Sequence, residues 1–421
     1  MSAPPLATAE IIAVGSELLG LHRLDTNSLF LADRLAALGI DLRAKAVVGD
    51  NRHDLAALFR QALSRVDLVV LTGGLGPTDD DLTRDVVADA LGRPMSEDAD
   101  ILAWIERRFA SRGMRMPGVN RRQAQVPRGA AVLPNPNGTA PGLLLEAGHR
   151  LVVLLPGPPR EMQPMFDALC RGPLLERAGA ERVQRVSLFI AGRSESHVEE
   201  LAQPIYTRWT GETPPIDTTI LASPGQIELH LSVRSADADG AARRLSEARD
   251  ELLAALGPDV FSTDGRSMEE IVGDLLRAKH LTIAAAESCT GGLLMSRLTD
   301  VPGSSDYVLA GVVAYADAAK TALAGVAPEL IAACGAVSEP VAVALADGIR
   351  ARAGADLGVG ITGIAGPSGA TPDKRVGTVA IALSGPDGPA RVRTFRFPGG
   401  RAQVKFSSTQ AALDMVRRAL T

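Results

Sequence analysis

The sequence predicts an α/β protein in which two α/β domains with mostly parallel sheets are joined by a small α+β module. Short segments that are apolar throughout, such as Leu68–Thr72 and Leu151–Leu155, alternate with amphipathic stretches. This alternation is typical of parallel sheets covered by helices on both faces. In the middle of the chain apolar and polar residues alternate, as at Ile227–Val233, which indicates half-exposed strands. The predicted domains are residues 1–170, 171–262 and 267–421.

The predicted elements follow this pattern along the whole chain. The strands are Ile11–Val14, Ile40–Val48, Leu68–Thr72, Leu151–Leu155, Val186–Ile190, Ile227–Val233, Leu281–Ala286, Val308–Tyr315, Leu357–Ile361, Val376–Leu383 and Val392–Phe397. The helices run from Thr26 or Asn27 to Leu38, over Asp54–Ser64, from Arg160 onward, and over Ser194–Leu201, Ala241–Leu256, Ile271–Ala278, Val341–Arg352 and Gln403–Leu420. Thr26 or Asn27 is the expected cap of the first helix, which Gly39 ends.

The composition fits a globular protein and limits its partners. The 421 residues carry a net charge of −5, which argues against a broad nucleic-acid-binding surface. The three cysteines are far apart, so we expect neither a disulfide framework nor a zinc ribbon, and a cytoplasmic location is predicted. The sequence contains no uninterrupted apolar segment of about 18 residues, so a membrane is not an expected partner.

Two loops of the third domain, Glu287–Gly292 and Thr362–Pro367, place small and hydroxylic residues after predicted strands. Ligands of α/β sheets bind at the carboxyl ends of strands, and glycine lets the backbone approach a ligand closely. Ser288 lies where an exposed nucleophile would, but serine needs a base. These motifs contain no histidine, whereas Lys320 follows the next predicted strand. Because a lysine enclosed in a pocket can lose its proton, we predict a serine–lysine pair.

The sequence leaves other interpretations of this segment open. In one alternative, Ser288 and Thr290 simply cap a helix and Lys320 is a surface residue. The sequence also does not decide which of the two hydroxyls attacks. Cys289 is a competing nucleophile, although no histidine adjoins it and small buried cysteines are common.

The third domain resembles the C-terminal domain of the CinA (competence/damage-inducible protein A) family. The matching motifs, in order, are Glu287–Gly292, Gly303–Ser305, Tyr315–Lys320, Gly335–Ser338 and Thr362–Pro367. Two positions depart from the family pattern, since Lys374-Arg375 replaces Lys-Pro and Asp317 replaces the commoner asparagine. Neither departure replaces a residue of the proposed catalytic pair.

This resemblance implies a nicotinamide-nucleotide amidase, which converts nicotinamide mononucleotide and water into nicotinic acid mononucleotide and ammonia without a cofactor. Ser288 would be the nucleophile and Lys320 the base. Tyr315 and Thr362 would support them, and backbone N–H groups of the loops would form the oxyanion hole. The residues expected to bind the substrate are Glu287, Thr290, Gly291, Gly292, Ser304, Ser305, Gly363 and Gly366.

Four loops of the first domain also follow predicted strands, and we expect them to face one crevice. The glycines of Thr72–Thr78 suit a phosphate or pyrophosphate, and Asp79–Asp81 directly beyond suit a divalent metal. The other loops are Gly15–Glu17, Asp50-Asn51 and Pro156–Pro159. An acidic run alone is explained as well by a helix N-terminus, but four converging loops favour a binding site.

Residues Ile11–Leu169 resemble the molybdopterin-binding fold of molybdenum-cofactor biosynthesis proteins, and most closely the N-terminal domain of the CinA family. The match lies in Gly73–Thr83, Asn137–Gly142 and Pro156–Met162. It implies a metal-dependent pyrophosphatase acting on ADP-ribose, with Mg²⁺ or a similar divalent ion as cofactor. The implied nucleotide-binding residues are Glu17, Asn27, Gly73, Gly74, Gly76, Thr78 and Gly157, and the implied metal ligands are Asp50, Asp80 and Asp81.

The middle module resembles the KH-like segment that lies between these two domains in the family. It lacks the G-x-x-G clamp of RNA-binding KH domains, so we expect a role in a homodimer and no nucleic-acid partner. The first hypothesis is therefore a bifunctional hydrolase of pyridine-nucleotide salvage. The alternative is a regulatory protein, linked to competence or DNA damage, that binds nucleotides or pterins.

Overall fold

The computed structural model describes residues 4–21 and 23–421. The described chain forms two compact units. The first extends to Gln184 and includes Arg234–Ala241, and the second contains Arg185–Val233 and Ala242–Thr421. Within the described ranges, the helices lack the combination of length and apolar character that crossing a membrane requires.

The described chain before Arg182 contains both strands and α-helices. The strands are β1 (Thr8–Val14), β2 (Asp41–Val48), β3 (Leu68–Thr72), β4 (Met95–Glu97), β5 (Gln125–Pro127), β6 (Ala131–Leu133), β7 (Gly142–Ala147) and β8 (Arg150–Leu155). The helices are α1 (Asn27–Ala37), α2 (Arg52–Arg65), α3 (Thr83–Ala90), α4 (Ala99–Ala110), α5 (Pro159–Arg171) and α6 (Pro173–Arg177). The structure thus adds α3, α4, α6 and β4 to β7 to the predicted elements.

A six-stranded sheet in the order β2-β1-β3-β8-β7-β6 forms the centre of the first unit. The strands β2, β1, β3 and β8 are parallel, as predicted. β7 and β6 are antiparallel to their neighbours, which the sequence analysis did not predict. Only Gly148 and His149 separate β7 from β8, and so short a connection permits only an antiparallel pair.

The apolar runs of this sheet are explained by burial on both faces. Val69 and Val70 of β3 point to opposite faces, and both are fully buried. Val69 packs in a core that includes Leu55 and Phe59 of α2, whereas Val70 packs in a second core with α1 and α5. The sheet is therefore a rigid platform from which the loops at its carboxyl edge project.

The middle of the chain contains a second, four-stranded sheet in the order β10-β11-β9-β12. Its elements are β9 (Arg182–Ala191), α7 (Glu195–Tyr206), β10 (Asp217–Ser223), β11 (Gln226–Ser235), α8 (Ala238–Leu256) and β12 (Val260–Ser262). β10 and β12 are antiparallel to β11 and β9 respectively. This mixture of strands and helices agrees with the predicted α+β composition, while the KH-like assignment and the three domain boundaries stay predictions.

The remaining elements form a five-stranded sheet and its helices. They are α9 (Met268–Lys279), β13 (Ile283–Glu287), α10 (Leu293–Asp300), β14 (Val308–Val313), α11 (Asp317–Ala324), α12 (Pro328–Cys334), α13 (Glu339–Ala353), β15 (Leu357–Gly363), β16 (Thr378–Ser384), β17 (Arg391–Arg396) and α14 (Arg401–Leu420). The sheet order is β14-β13-β15-β16-β17. β14, β13 and β15 are parallel, but β16 and β17 are antiparallel. The predicted mostly parallel sheet is therefore a mixed sheet, because no crossover helix connects β15 to β16.

Candidate functional site

A cavity of about 320 Å³ lies at the carboxyl ends of β13 and β15. These strands are parallel neighbours, with Glu287 paired to Ile361, so the residues that follow them meet at one edge of the sheet. The predicted residues that line this cavity are Ser288, Tyr315, Lys320, Thr362, Gly363 and Gly366.

Ser288 is fixed by the backbone on both sides. Its N–H donates to the Ile361 carbonyl at 2.9 Å, which extends the β13–β15 pairing by one residue. The Gly291 N–H donates to the Ser288 carbonyl at 3.1 Å, which closes a tight turn. Gly291 has φ of 63°, a conformation that side-chain-bearing residues rarely adopt. The turn therefore presents a largely buried Ser288 to the cavity.

Lys320 lies on α11 on the cavity wall and is 2% exposed. Its Nζ donates to the Tyr315 carbonyl at 3.0 Å and to Asp317 Oδ1 at 3.2 Å. The hydrogen bonds of the described residues do not include one between Ser288 and Lys320. Catalytic hydrogen bonds are often long in enzymes without substrate and shorten when it binds.

Arg401 completes the cavity and was not among the predicted residues. It begins α14, lines the cavity, and donates from Nη1 to the Gly366 carbonyl at 2.9 Å. Its Nη2 donates to the Tyr315 hydroxyl at 3.0 Å. Arg401 thereby orients Tyr315 and brings a permanent positive charge to the cavity.

Thr362 connects the carboxyl end of β15 to the cavity wall at Ala336. It is 1% exposed, and its hydroxyl donates to the Ala336 carbonyl at 2.7 Å. The Lys374 amine donates to the Cys334 carbonyl at 3.2 Å, which ties the loop after Gly366 to the end of α12. Thr362 thus positions the wall segment at Ala336, which itself lines the cavity.

The Glu287 carboxylate stabilises the backbone of the Glu287–Gly292 loop. Glu287 is fully buried, and its carboxylate accepts the N–H groups of Gly292 and Leu294 at 3.1 Å and of Met295 at 2.9 Å. These are orphan donors at the start of a helix, so Glu287 caps α10. The predicted substrate-binding residues that the structure places outside the cavity lining are Glu287, Thr290, Gly291, Gly292, Ser304 and Ser305.

The two alternative nucleophiles differ from Ser288 in their surroundings. The Thr290 hydroxyl is fully buried, has no hydrogen-bond partner in the described structure, and does not line the cavity. Cys289 lines the cavity, but burial raises the pKa of its thiol to about 12. Because the thiolate is the reactive form, Ser288 is the better placed nucleophile.

A second cavity, of about 370 Å³, lies at the carboxyl edge of the first unit's sheet. It brings together all four predicted loops. The predicted residues that line it are Glu17, Asp50, Gly73, Gly74, Gly76, Asp80, Asp81 and Gly157. Thr78 lies outside its lining, and Asn27 lines an adjoining cavity that also contains Glu17 and Gly157.

The glycine loop of this cavity is shaped by side chains behind it. The Thr83 hydroxyl donates to the Gly73 carbonyl at 2.8 Å. Arg84 is buried and donates to the carbonyls of Leu75 at 2.5 Å and Gly76 at 3.0 Å. Burial lowers the pKa of Arg84 to about 10, so the guanidinium remains charged at neutral pH. These bonds hold the loop's carbonyl groups on the side of Thr83 and Arg84.

Of the two predicted caps of α1, Thr26 lies at the N-cap position but makes no side-chain cap hydrogen bond, and Asn27 is the first residue of the helix. Asp25 instead accepts the Ser28 N–H at 3.0 Å. The Asn27 amide donates to the Thr72 hydroxyl at 3.2 Å and to the Gly157 carbonyl at 2.7 Å. Asn27 therefore ties together the loops that follow β3 and β8.

The three predicted metal ligands have different surroundings. Asp81 accepts the Gly76 N–H at 2.7 Å and the N–H and hydroxyl of Thr78 at 2.9 and 2.5 Å. The described residues contain no group of three or more His, Cys, Asp or Glu arranged to hold a metal. Mg²⁺ commonly binds one or two carboxylates and completes its shell with water and substrate phosphates. Asp50 and Asp80 fit that mode, with Asp50 Oδ2 also accepting the Ser16 N–H at 2.8 Å, whereas both oxygens of Asp81 accept hydrogen bonds from its own loop.

Comparison with known proteins shows which family has this architecture. The family model described as "CinA C-terminal domain" matches residues 265–420, and "Probable molybdopterin binding domain" matches residues 10–177. A CinA-like protein of Koribacter versatilis is 47% identical over 416 residues, which cover 98% of this chain and 99% of the relative. The chain belongs to the CinA family.

Other CinA relatives extend this finding. A CinA-like protein of Acidobacterium capsulatum is 45% identical over 421 residues, covering 98% of this chain and 99% of its own length. The solved structure of CinA from Thermoplasma acidophilum is 35% identical with a TM-score of 0.37, covering 39% of this chain and 97% of that chain.

The amidase activity that the CinA resemblance implies gives one prediction that separates Ser288 from its neighbour. Replacing Cys289 by alanine is expected to change the rate of ammonia release from nicotinamide mononucleotide less than about tenfold, because the thiol is held protonated. Iodoacetamide at pH 7 is likewise expected to leave the wild-type rate unchanged. Loss of activity in Cys289→Ala by several orders of magnitude, with the fold intact, would make Cys289 the nucleophile.

A second prediction concerns the Glu287 cap. Glu287→Gln places an amide NH₂ against N–H donors, so local stability should fall by about 1–3 kcal/mol. Hydrogen–deuterium exchange in peptides from β13 and α10 measures this loss. Glu247→Gln, at an exposed position on α8, is the matched control. Equal protection in both variants would contradict the capping role.

Proposed function

We propose that the chain is a bifunctional hydrolase whose C-terminal domain deamidates nicotinamide mononucleotide. The observation that carries the proposal is the placement of Ser288 and the buried Lys320 amine on the walls of one cavity at the carboxyl ends of parallel strands. Its volume is within the usual range for small-molecule sites. The choice of substrate comes from the resemblance to the CinA family.

The proposed reaction proceeds through an acyl-enzyme. Ser288 Oγ attacks the carboxamide carbon while its proton passes to Lys320 Nζ. The protonated Lys320 Nζ then donates this proton to the carboxamide nitrogen of the substrate as the C–N bond breaks, and ammonia leaves. Water then attacks the acyl group, with Lys320 Nζ as the base, and nicotinic acid mononucleotide is released. Asp317 Oδ1 and the Tyr315 carbonyl accept hydrogen bonds from the Lys320 amine and orient it.

Arg401 is the proposed contact for the nucleotide phosphate. Its guanidinium lines the cavity, and within the described residues two of its five N–H groups donate to Gly366 and Tyr315. A guanidinium favours phosphate through bidentate hydrogen bonds. Ser304 and Ser305, which were predicted to bind the substrate, lie outside the cavity lining, and Arg401 takes their place in the proposal.

The N-terminal domain is proposed to hydrolyse the pyrophosphate of ADP-ribose. Its glycine loop at Gly73–Gly76 would hold the phosphates, and Asp50 and Asp80 would hold a divalent metal jointly with them. When bound, such an ion supplies charge neutralisation at the phosphates. The proposal also includes a homodimer, which sedimentation velocity tests.

The test of both activities uses the full-length wild type. Nicotinamide mononucleotide and ADP-ribose are incubated separately, with Mg²⁺ and with excess chelator, and products are identified by chromatography. We expect nicotinic acid mononucleotide and ammonia in both conditions, and AMP with ribose 5-phosphate only with Mg²⁺. No ammonia from the wild type would remove the amidase proposal, and no AMP would remove the pyrophosphatase proposal.

The molybdopterin-binding description of the matching family favours one alternative. In that case the N-terminal cavity would bind a pterin without hydrolysing ADP-ribose. Pterin fluorescence that copurifies with the protein, together with no AMP formation, would support this alternative.

A further inference from the structure

Glu161 is a buried carboxylate on the wall of the N-terminal cavity. It lies in the first turn of α5 and is 8% exposed. The same cavity is lined by Gly73 and Gly74 of the glycine loop and by Gly157 of the loop before α5. Glu161 therefore faces the space in which the proposed function places a pyrophosphate.

The Glu161 carboxylate is held in one orientation. Asn135 Nδ2 donates to Glu161 Oε2 at 2.8 Å and to the Ala140 carbonyl at 2.7 Å. The other end of the amide, Asn135 Oδ1, accepts the N–H groups of Asn137 at 3.1 Å and Gly138 at 2.9 Å. These four bonds fix which end of the amide faces Glu161, so Oε2 is committed as an acceptor.

The neighbouring loop is shaped around this carboxylate. A Cβ atom at Gly138 would lie 1.6 Å from Glu161 Oε2, so a larger residue there would displace the Glu161 carboxylate. The close approach of the Gly138 backbone therefore helps to fix the position of the Glu161 carboxylate relative to the cavity. The second oxygen, Oε1, accepts no hydrogen bond from the described residues and is the atom free to act in the cavity.

Asp81 provides the contrast. Both of its oxygens already accept hydrogen bonds from Gly76 and Thr78. The Asp81 carboxylate is therefore engaged in the structure of its own loop. Glu161 combines burial, a fixed orientation and a free oxygen, which are the properties of a general base.

We propose that Glu161 is the general base of the N-terminal hydrolase, an inference that rests on the proposed ADP-ribose pyrophosphatase function. Water attacks one phosphorus of the pyrophosphate, and the water proton passes to Glu161 Oε1. A new P–O bond forms as the bond from that phosphorus to the bridging oxygen breaks, and the electron pair leaves on the other phosphate. The products are AMP and ribose 5-phosphate, and Glu161 returns its proton to solvent.

The test compares full-length wild type, Glu161→Gln and Glu176→Gln with Mg²⁺ and ADP-ribose. Glutamine keeps the size of Glu161, and its carbonyl can accept the Asn135 hydrogen bond. Glu176 is an exposed glutamate on α6 and serves as the matched control. We expect kcat of Glu161→Gln to fall about 10²- to 10⁴-fold. Its Kd for ADP-ribose, from calorimetry, and its Tm should remain near those of the wild type and Glu176→Gln.

The outcomes separate this inference from the function on which it rests. Wild-type hydrolysis with undiminished kcat in Glu161→Gln would overturn the role of Glu161 alone. A loss of kcat accompanied by an equal loss of binding or a lowered Tm would show a structural role and would also overturn it. Absence of hydrolysis by the wild type would overturn the proposed function, and the role of Glu161 with it.

Discussion

Replacing Ser288 by alanine is expected to lower kcat for ammonia release from nicotinamide mononucleotide by about 10⁴- to 10⁶-fold. The substitution removes the only hydroxyl of the Glu287–Gly292 loop that lines the cavity, and no acyl-enzyme can form without it. The backbone bonds of Ser288 to Ile361 and Gly291 do not need the side chain, so the fold should be unchanged. Steady-state ammonia release and the far-UV spectrum measure the two effects.

Thr290→Val is the matched control for this experiment. The Thr290 hydroxyl is buried without a partner in the described structure, and valine has nearly the same shape. Removing an unsatisfied buried hydroxyl is not expected to destabilise the domain, so this variant should keep its activity within about threefold of the wild type. Activity retained in Ser288→Ala but lost in Thr290→Val would show that the Thr290 hydroxyl is the nucleophile.

Replacing Lys320 by arginine is expected to lower kcat about 10²- to 10⁴-fold, the usual contribution of a general base. Arginine carries a positive charge and keeps N–H donors for Asp317 and the Tyr315 carbonyl. It cannot lose a proton in a protein, so it cannot accept the Ser288 proton. The substitution therefore separates charge from basicity at a single position.

Lys279→Arg is the control for Lys320→Arg because Lys279 is exposed at the end of α9. It should turn over like the wild type. Thermal unfolding of both variants checks that the larger guanidinium is accommodated near Asp317. Wild-type kcat in a folded Lys320→Arg protein would mean that the residue contributes charge and not proton transfer.

The predictable part of the fold is the part whose sequence pattern is local. Continuous apolar runs identified β3 and β8, because burial on both faces leaves no position for a polar residue. β16 was predicted as a strand, but its antiparallel direction depends on which strand it joins, and its own residues do not encode that. The short strands β4 to β6 bury few residues and left no clear pattern.

The site was predictable where loops follow strands and only partly elsewhere. Ser288 and Lys320 were found because each follows a predicted strand in the sequence. Arg401 reaches the cavity from the last helix, and one more arginine carries no local signal. The Pro398–Gly400 segment directly before it was the available indication of a loop that enters a helix.

Glu287 illustrates the limit of motif reasoning. It belongs to the loop that carries the family resemblance, and it was therefore predicted to bind the substrate. The structure places its carboxylate beneath the loop, where it accepts the N–H of Gly292 and two backbone N–H groups of α10. Sequence adjacency to a nucleophile does not fix the direction of a side chain, because successive residues of a strand point to opposite faces.

The most direct test of the central claim is the partition of the acyl-enzyme between water and hydroxylamine. Wild-type protein with nicotinamide mononucleotide should yield the hydroxamate of nicotinic acid mononucleotide in proportion to the hydroxylamine concentration, and Ser288→Ala should yield neither hydroxamate nor ammonia. Ammonia release by the wild type with only the carboxylate as product at every hydroxylamine concentration, or full turnover by Ser288→Ala, would contradict a covalent serine–lysine mechanism.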